Sequence, residues 1–135
     1  MIRFTLLVAG CLAAAALLAS PGALAGSRAT TLLSNISVTA GKPSEFRFIV
    51  SPSTAKRGLI VFKITNKGAL PHTFKLCSAR NKPLANSCSG RTSGQISPGQ
   101  SGTLRVVVLL KGTYEYLCTL PGHAAGGMKG LLKVT

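Results

Sequence analysis

The amino-acid sequence predicts an all-β fold, a β-sandwich of about seven or eight short strands with Greek-key connections. Two observations carry this prediction. Apolar side chains recur at every second position in several runs, as they do on the buried face of a half-exposed strand, and turn-forming residues separate these runs. After residue 25 no segment keeps an apolar period of 3.6 residues, so we expect little helix.

Four runs carry the alternating pattern, at residues 45–50, 59–65, 104–110 and 114–118, and a short run at 131–134 closes the chain. Their predicted inward side chains are Phe46, Phe48 and Val50; Ile60, Phe62 and Ile64; Leu104, Val106, Val108 and Leu110; and Tyr114, Tyr116 and Cys118. Glycine, proline and asparagine at 41–43, 66–68, 97–99 and 111–112 supply the turns. A further strand is expected to start near His72, directly after a turn.

The first 25 residues have the parts of a secretory signal peptide. Arg3 gives a charged start, an apolar stretch follows to about residue 19, and small residues at 23–25 form a cleavage site. We predict cleavage after Ala25, which leaves one domain at residues 26–135 without a membrane span, exported to the periplasm, the cell surface or the medium. The segment 8–11 also resembles a lipobox, so a lipid anchor at Cys11 is the less favoured alternative, because cutting there leaves a very short apolar region.

The charge of the chain is strongly positive. Sixteen Lys and Arg face two acidic residues, Glu45 and Glu115, and the net charge is +14, or +13 without Arg3. The basic residues are spread along the chain and do not alternate with aromatic residues, so we expect no nucleic-acid partner. The absence of Asp excludes a Ser-His-Asp triad. Such a charge favours a solvated basic surface that attracts acidic proteins.

The segment 118–128 carries the chemistry. Cys118, His123 and Met128 are spaced as C-x4-H-x4-M, and Pro-Gly and Gly-Gly pairs in the two gaps allow the loop to fold back. His72 is the second of the two histidines in the chain. A thiolate with two imidazoles and a weak thioether is the donor set of a trigonal copper site with an axial Met. Zinc also accepts Cys and His ligands, but the thioether favours copper.

These motifs resemble those of the cupredoxins, the type 1 blue-copper proteins that include plastocyanin, azurin and rusticyanin. The shared pattern is a G-x-x-P-H segment ending at His72, followed about 45 residues later by Y-x-Y-x-C-x4-H-x4-M. The C-terminal spacing is most similar to that of rusticyanin. The resemblance implies a Greek-key sandwich with one copper ion at one end, held by His72, Cys118, His123 and Met128, and the transfer of single electrons.

One residue departs from the family pattern. Many members carry Asn directly after the first ligand histidine, where it joins the two ligand loops by hydrogen bonds. This chain has Thr73. Its hydroxyl can form hydrogen bonds but reaches less far than an amide.

Cys77 and Cys88 stand outside the metal motif. In an exported protein two such cysteines are expected to pair, and this disulfide would close a loop of ten intervening residues. The alternative is a pair of free thiols that bind copper, which fits an oxidising compartment less well.

The function expected from these features is electron transport by an exported, non-enzymatic monomer. Apolar residues at 70–71, 120–121 and 124–127 flank the histidines and predict an apolar docking patch around His123 for redox partner proteins. An oxidase or reductase would need further histidines for a catalytic copper, and the chain has none to spare. An extracytoplasmic copper carrier or storage protein remains the alternative.

Overall fold

A computed structural model describes residues 32–135 of the chain. The predicted signal peptide and the Cys11 alternative therefore lie outside the described residues. Residues 32–135 contain nine strands and no helix, hence none that could span a membrane. The strands are β1 Leu33–Ala40, β2 Phe48–Ser51, β3 Thr54–Ala55, β4 Gly58–Asn66, β5 Lys75–Arg80, β6 Gly90–Thr92, β7 Ser101–Val108, β8 Gly112–Leu117 and β9 Lys129–Val134.

The strands form two sheets that pack as a sandwich, which confirms the predicted fold class. The first sheet has the order β2-β1-β4-β7, and the second has the order β3-β9-β8-β5-β6. Strand β1 pairs with β4 in parallel, and β3 pairs with β9 in parallel, while the other pairs are antiparallel. Five of the eight connections cross between the sheets, so most contacts join residues far apart in the sequence.

The predicted apolar rows supply most of the core between the sheets. Ile60, Phe62 and Ile64 of β4 are fully buried, and so are Leu132 and Val134 of β9. Burying side chains of this size removes apolar area from water at about 25 cal/mol per Å², which makes these rows the main source of stability.

Three details of the strand prediction were wrong. Of the run at 45–50, only the part from Phe48 onward belongs to a strand, because Glu45 and Phe46 lie in a turn. The third row ends at Val108, because the chain turns away there and Leu110 is exposed. Strand β1, with Ile36, Val38 and Ala40 buried, was not predicted although these residues alternate with polar ones.

The two ends of the sandwich differ in character. Because β1 and β4 are parallel, Ala40 and Asn66 lie at the same end, which we call the His72 pole. The start of β9 at Lys129 and the end of β8 at Leu117 pair there, one residue from Cys118. The opposite end, where β7 turns into β8, is called the Leu110 pole.

Candidate metal centre

A buried asparagine shapes the turn that delivers His72. The amide of Asn66 donates to the carbonyl oxygens of Leu70 at 2.7 Å and of Ile96 at 2.9 Å, and its own oxygen accepts the N–H of Gly68. His72 then pairs with Ile96 through two backbone hydrogen bonds. Because every polar atom of this buried side chain has a partner, the turn is fixed and the His72 ring is held fully buried.

The loop from Cys118 to Met128 folds back on itself, as the two glycine-containing gaps predicted. The Cys118 N–H donates to the Met128 carbonyl at 3.0 Å, and the Met128 N–H donates to the His123 carbonyl at 2.9 Å. Gly122 and Gly127 have φ of +80° and +108°, conformations that residues with a Cβ rarely adopt. These glycines allow one short loop to present three donors to one point.

The structure brings His72, Cys118 and His123 together at the His72 pole. Their ligand atoms all lie within 4.8 Å of one another. The two Nδ1 atoms are 3.2 Å apart, and the Cys118 Sγ lies 3.5 Å from the His123 Nδ1. Donors bound at about 2.0–2.3 Å around one first-row metal ion are separated by about 3.5 Å, so this cluster has the dimensions of a trigonal site.

Met128 lies beside this cluster. Its side chain is fully buried and packs in one apolar group with Cys118 and Ala40. Phe46 and Leu120 cover the group from outside. A thioether in this position is a weak, soft donor next to a thiolate, which suits copper better than zinc.

Thr73 links the two ligand loops by hydrogen bonds, although its side chain is shorter than the asparagine that many family members carry at this position. Its hydroxyl oxygen accepts the Thr119 N–H at 2.8 Å and lies 3.6 Å from the Cys118 Sγ. The Thr73 N–H also donates to this sulfur at 3.4 Å. A thiolate that accepts hydrogen bonds is stabilised as the anion that binds metals.

Glu45 is a functional residue that the sequence did not reveal. Its carboxylate accepts the His72 Nε2–H at 2.8 Å and the backbone N–H groups of Ala69 and Leu70 at 2.9 and 3.0 Å. Because a carboxylate only accepts, His72 carries its proton on Nε2 and leaves Nδ1 free to bind a metal. The two backbone hydrogen bonds are the main reason that the pKa of Glu45 is lowered, so the carboxylate stays charged.

His123 is the member of the cluster that reaches the surface. Its ring is partly exposed and packs against the rings of Phe46 and His72, at centroid distances of 4.9 and 5.2 Å. Burial and then the neighbouring His72 lower the pKa of His123, while Glu45 opposes this shift. The neutral imidazole that a metal requires is therefore favoured.

The predicted disulfide between Cys77 and Cys88 is present, with an S–S distance of 2.01 Å. These sulfurs therefore cannot serve as thiolate ligands, and Cys118 is the free cysteine of residues 32–135. The disulfide packs against Leu117 and Ala124, each next to a residue of the cluster.

A β-sandwich with a His-Cys-His cluster and a buried Met at one pole has the architecture of a type 1 blue-copper protein. Residues 34–135 match the family described as copper binding proteins, plastocyanin/azurin family. The chain therefore belongs to this family, the cupredoxins, whose members are electron carriers. The cluster fits one type 1 copper ion.

Individual relatives are similar to this chain over different lengths. Auracyanin-B of Chloroflexus aurantiacus is 44% identical over 43 residues, which are 32% of this chain and only 18% of that protein. A solved structure of auracyanin B has a TM-score of 0.62 and 22% identity over 78% of this chain and 91% of its own. Rusticyanin from Thiobacillus ferrooxidans has a TM-score of 0.55 and 25% identity over 76% and 77%.

Proposed function

We propose that this protein is an exported carrier of single electrons in which His72, Cys118, His123 and Met128 hold one copper ion. The observation that carries the proposal is the arrangement of the cluster. Three side chains are fully or almost fully buried, and the His123 ring alone connects them with the surface. When bound, copper supplies the Cu(II)/Cu(I) couple, and a buried site with one exposed ring lets electrons pass while water stays out.

The chain holds its donors without help from the metal. Glu45 fixes the ring of His72, Thr73 fixes the position of the Cys118 sulfur, and backbone hydrogen bonds close the loop around His123. A site whose donors are already in place changes little between two oxidation states. Such preorganisation lowers the reorganisation that slows electron transfer.

The surface around His123 supports docking of a redox partner. Leu70 is exposed and Leu120 is half-buried beside the ligand loops. Weak redox encounters bury less than about 1,200 Å², so a small apolar patch is sufficient. We propose that the basic residues of the chain steer an acidic partner toward this patch, which makes the association rate fall with salt.

The residue inventory supports a carrier and not an enzyme. Both histidines of the chain are in the cluster, so no imidazole is left for a separate catalytic metal. Copper delivery is the second candidate, because the partial exposure of His123 gives a receiving protein access to the site. The signal-peptide pattern at residues 1–25 supports export.

The absorption spectrum of residues 26–135 after addition of Cu(II) tests the proposal. We expect an intense visible band from charge transfer between the Cys118 thiolate and copper. Cys118→Ser should abolish the band, whereas Met128→Leu should keep copper bound and raise the reduction potential. A colourless Cu(II) complex of the unmodified chain would contradict the blue-copper assignment and favour copper delivery.

A further inference from the structure

The Leu110 pole carries an exposed apolar surface that electron transfer at the opposite pole does not explain. Val107, Leu109 and Leu110 are 61%, 70% and 57% exposed, and Leu33 is 58% exposed. Leu33, Leu59 and Val107 are paired neighbours on adjacent strands, about 5 Å apart, so they form a continuous row. The two leucines follow directly as the tip of the turn between β7 and β8.

An open cleft extends this surface along the sandwich edge. It has a volume of about 710 Å³ and is lined by side chains that include Val106, Val108, Leu109, Leu110 and Tyr114. The leucine tip, the row on the sheet and the cleft therefore form one apolar region. Contiguous exposed apolar surface of this kind marks interaction sites.

Basic residues surround this pole. Lys111 follows Leu110, and its carbonyl accepts a hydrogen bond from the Arg80 guanidinium at 3.2 Å. Lys56 and Arg57 precede Gly58, whose backbone contacts Leu32 and pairs with Val108. The acidic residues lie elsewhere: Glu45 is at the His72 pole, and Glu115 is buried with its carboxylate bonded to Ala85.

The chemistry of the pole favours one class of partner over others. A second copy of this chain is disfavoured, since two molecules that each carry a net charge of +13 without the leader repel each other. A protein partner usually inserts aromatic or Arg anchors into a pocket, but the protruding residues here are aliphatic. Aliphatic side chains at a protruding tip within a basic ring match the boundary between anionic headgroups and acyl chains.

We propose that the Leu110 pole docks on the surface of an anionic lipid bilayer. Leu109 and Leu110 insert at the headgroup boundary, and Arg57, Arg80 and Lys111 contact lipid phosphates. In this orientation the His72 pole points away from the membrane, so His123 stays accessible to partners in solution.

Co-sedimentation with vesicles tests this docking. Residues 26–135 are used, because they include the whole sandwich and omit the apolar leader, which would itself bind lipid. We expect binding to vesicles of phosphatidylcholine with phosphatidylglycerol, weaker binding at high salt, and little binding to phosphatidylcholine alone. Leu109→Ser with Leu110→Ser should lower the partition coefficient about tenfold or more, since it removes the apolar area of both inserted side chains. Leu70→Ser, at an exposed leucine of the other pole, is the matched control and should leave binding unchanged.

Two double charge-reversal variants distinguish binding by the Leu110 pole from attraction by the total charge of the protein. Arg57→Glu with Lys111→Glu places the change at the Leu110 pole, and Lys42→Glu with Lys67→Glu places the same change at the His72 pole. The first variant should lose binding and the second should keep most of it. Equal loss in both, full binding by the double serine variant, or binding to poly-glutamate but not to vesicles would overturn the proposal.

Discussion

The His72 imidazole is oriented by a hydrogen bond at Nε2, and its Nδ1 faces the His123 ring at the proposed copper site. Glu45 accepts its Nε2–H and at the same time ties down the turn before it through Ala69 and Leu70. One carboxylate thus fixes both the ring and the loop that carries it. Because the lowered pKa of Glu45 keeps it charged, it also places a negative charge next to His72, a proposed copper ligand.

Glu45→Gln keeps a hydrogen-bond acceptor at this position but removes the charge. We expect the reduction potential to rise, because a nearby negative charge stabilises Cu(II) more than Cu(I). A change of about tenfold in the relative affinity for the two ions corresponds to about 59 mV for one electron. Voltammetry measures the potential, and ¹⁵N NMR of the apo protein checks that the His72 proton stays on Nε2. Glu115→Gln is the control, and an equal rise there would show that contact with His72 is irrelevant.

Thr73 decides how the two ligand loops are joined. Thr73→Val removes the hydroxyl with little change in shape and leaves the Thr119 N–H without its acceptor. Because Thr119 is exposed and its N–H can bond to water instead, we expect the free energy of unfolding to fall only by the net contribution of one hydrogen bond, about 0.5–1.5 kcal/mol. Urea unfolding measures it, with Thr103→Val on an exposed strand position as a control that should change little. An unchanged stability of the Thr73 variant would mean that the loops are held by other contacts.

At the scale of the elements, the disulfide loop packs against the loop from Cys118 to Met128. The Cys77–Cys88 disulfide packs on Leu117 and Ala124, which flank Cys118 and His123 in the sequence. Cys77 lies in β5, and Cys88 lies two residues before β6, which pairs with β5, so the disulfide joins β5 to the segment that leads into β6. It therefore supports the metal loop without supplying a donor.

Replacing both Cys77 and Cys88 by Ala should lower the free energy of unfolding by about 2–3 kcal/mol, as expected for a closed loop of this length. The visible band with Cu(II) should persist, because Cys118 and the histidines keep their backbone hydrogen bonds. Thermal unfolding and absorption spectra measure the two effects separately. Loss of the band at temperatures where the variant is still folded would show that the disulfide positions the donors directly.

For the molecule as a whole, the scarcity of acidic groups limits what acid can disrupt. Acid unfolding mainly protonates carboxylates that have partners in the native state, and this chain has two acidic side chains. The groups whose shifts favour loss of stability in acid are Glu45 and His123. Their pKa values are both lowered in the folded state, so the unfolded chain takes up protons more readily at each.

The stability of the apo protein should therefore fall only gently in acid. The contribution of His123 begins to be lost below the ordinary histidine pKa of about 6.5, and that of Glu45 is lost below about 4.3 as the pH falls through its lowered value. Urea midpoints between pH 8 and pH 2 measure this. In the Glu45→Gln variant the decline that protonation of Glu45 causes should be absent. The urea midpoints of the variant and the unmodified protein should therefore become similar at the lowest pH values. A steep collapse between pH 7 and pH 5 would refute this account.

The sequence by itself determined the fold class and the composition of the metal site. Strand periodicity depends on local alternation of side chains, so Ile60, Phe62 and Ile64 could be placed on an inner face from sequence alone. The proposed donors Cys118, His123 and Met128 lie within eleven residues of one loop. Their proximity therefore depends on local turns, which the sequence also predicts. The strongly positive net charge could also be counted from the sequence, and the pairing of Cys77 with Cys88 could be predicted from it.

Only the tertiary structure decided which distant residues support the site. Glu45 and His72 are 27 residues apart, and Thr73 and Thr119 are 46 apart, so no local pattern links them. The parallel pairing of β1 with β4 brings the turn at 66–72 beside the segment that contains Glu45. The same long-range pairing of β1, β4 and β7 collects three apolar residues into one row, in which the half-buried Leu59 lies between the exposed Leu33 and Val107. Contacts of this kind arise from the order of strands across a sheet, which alternation along the chain does not encode.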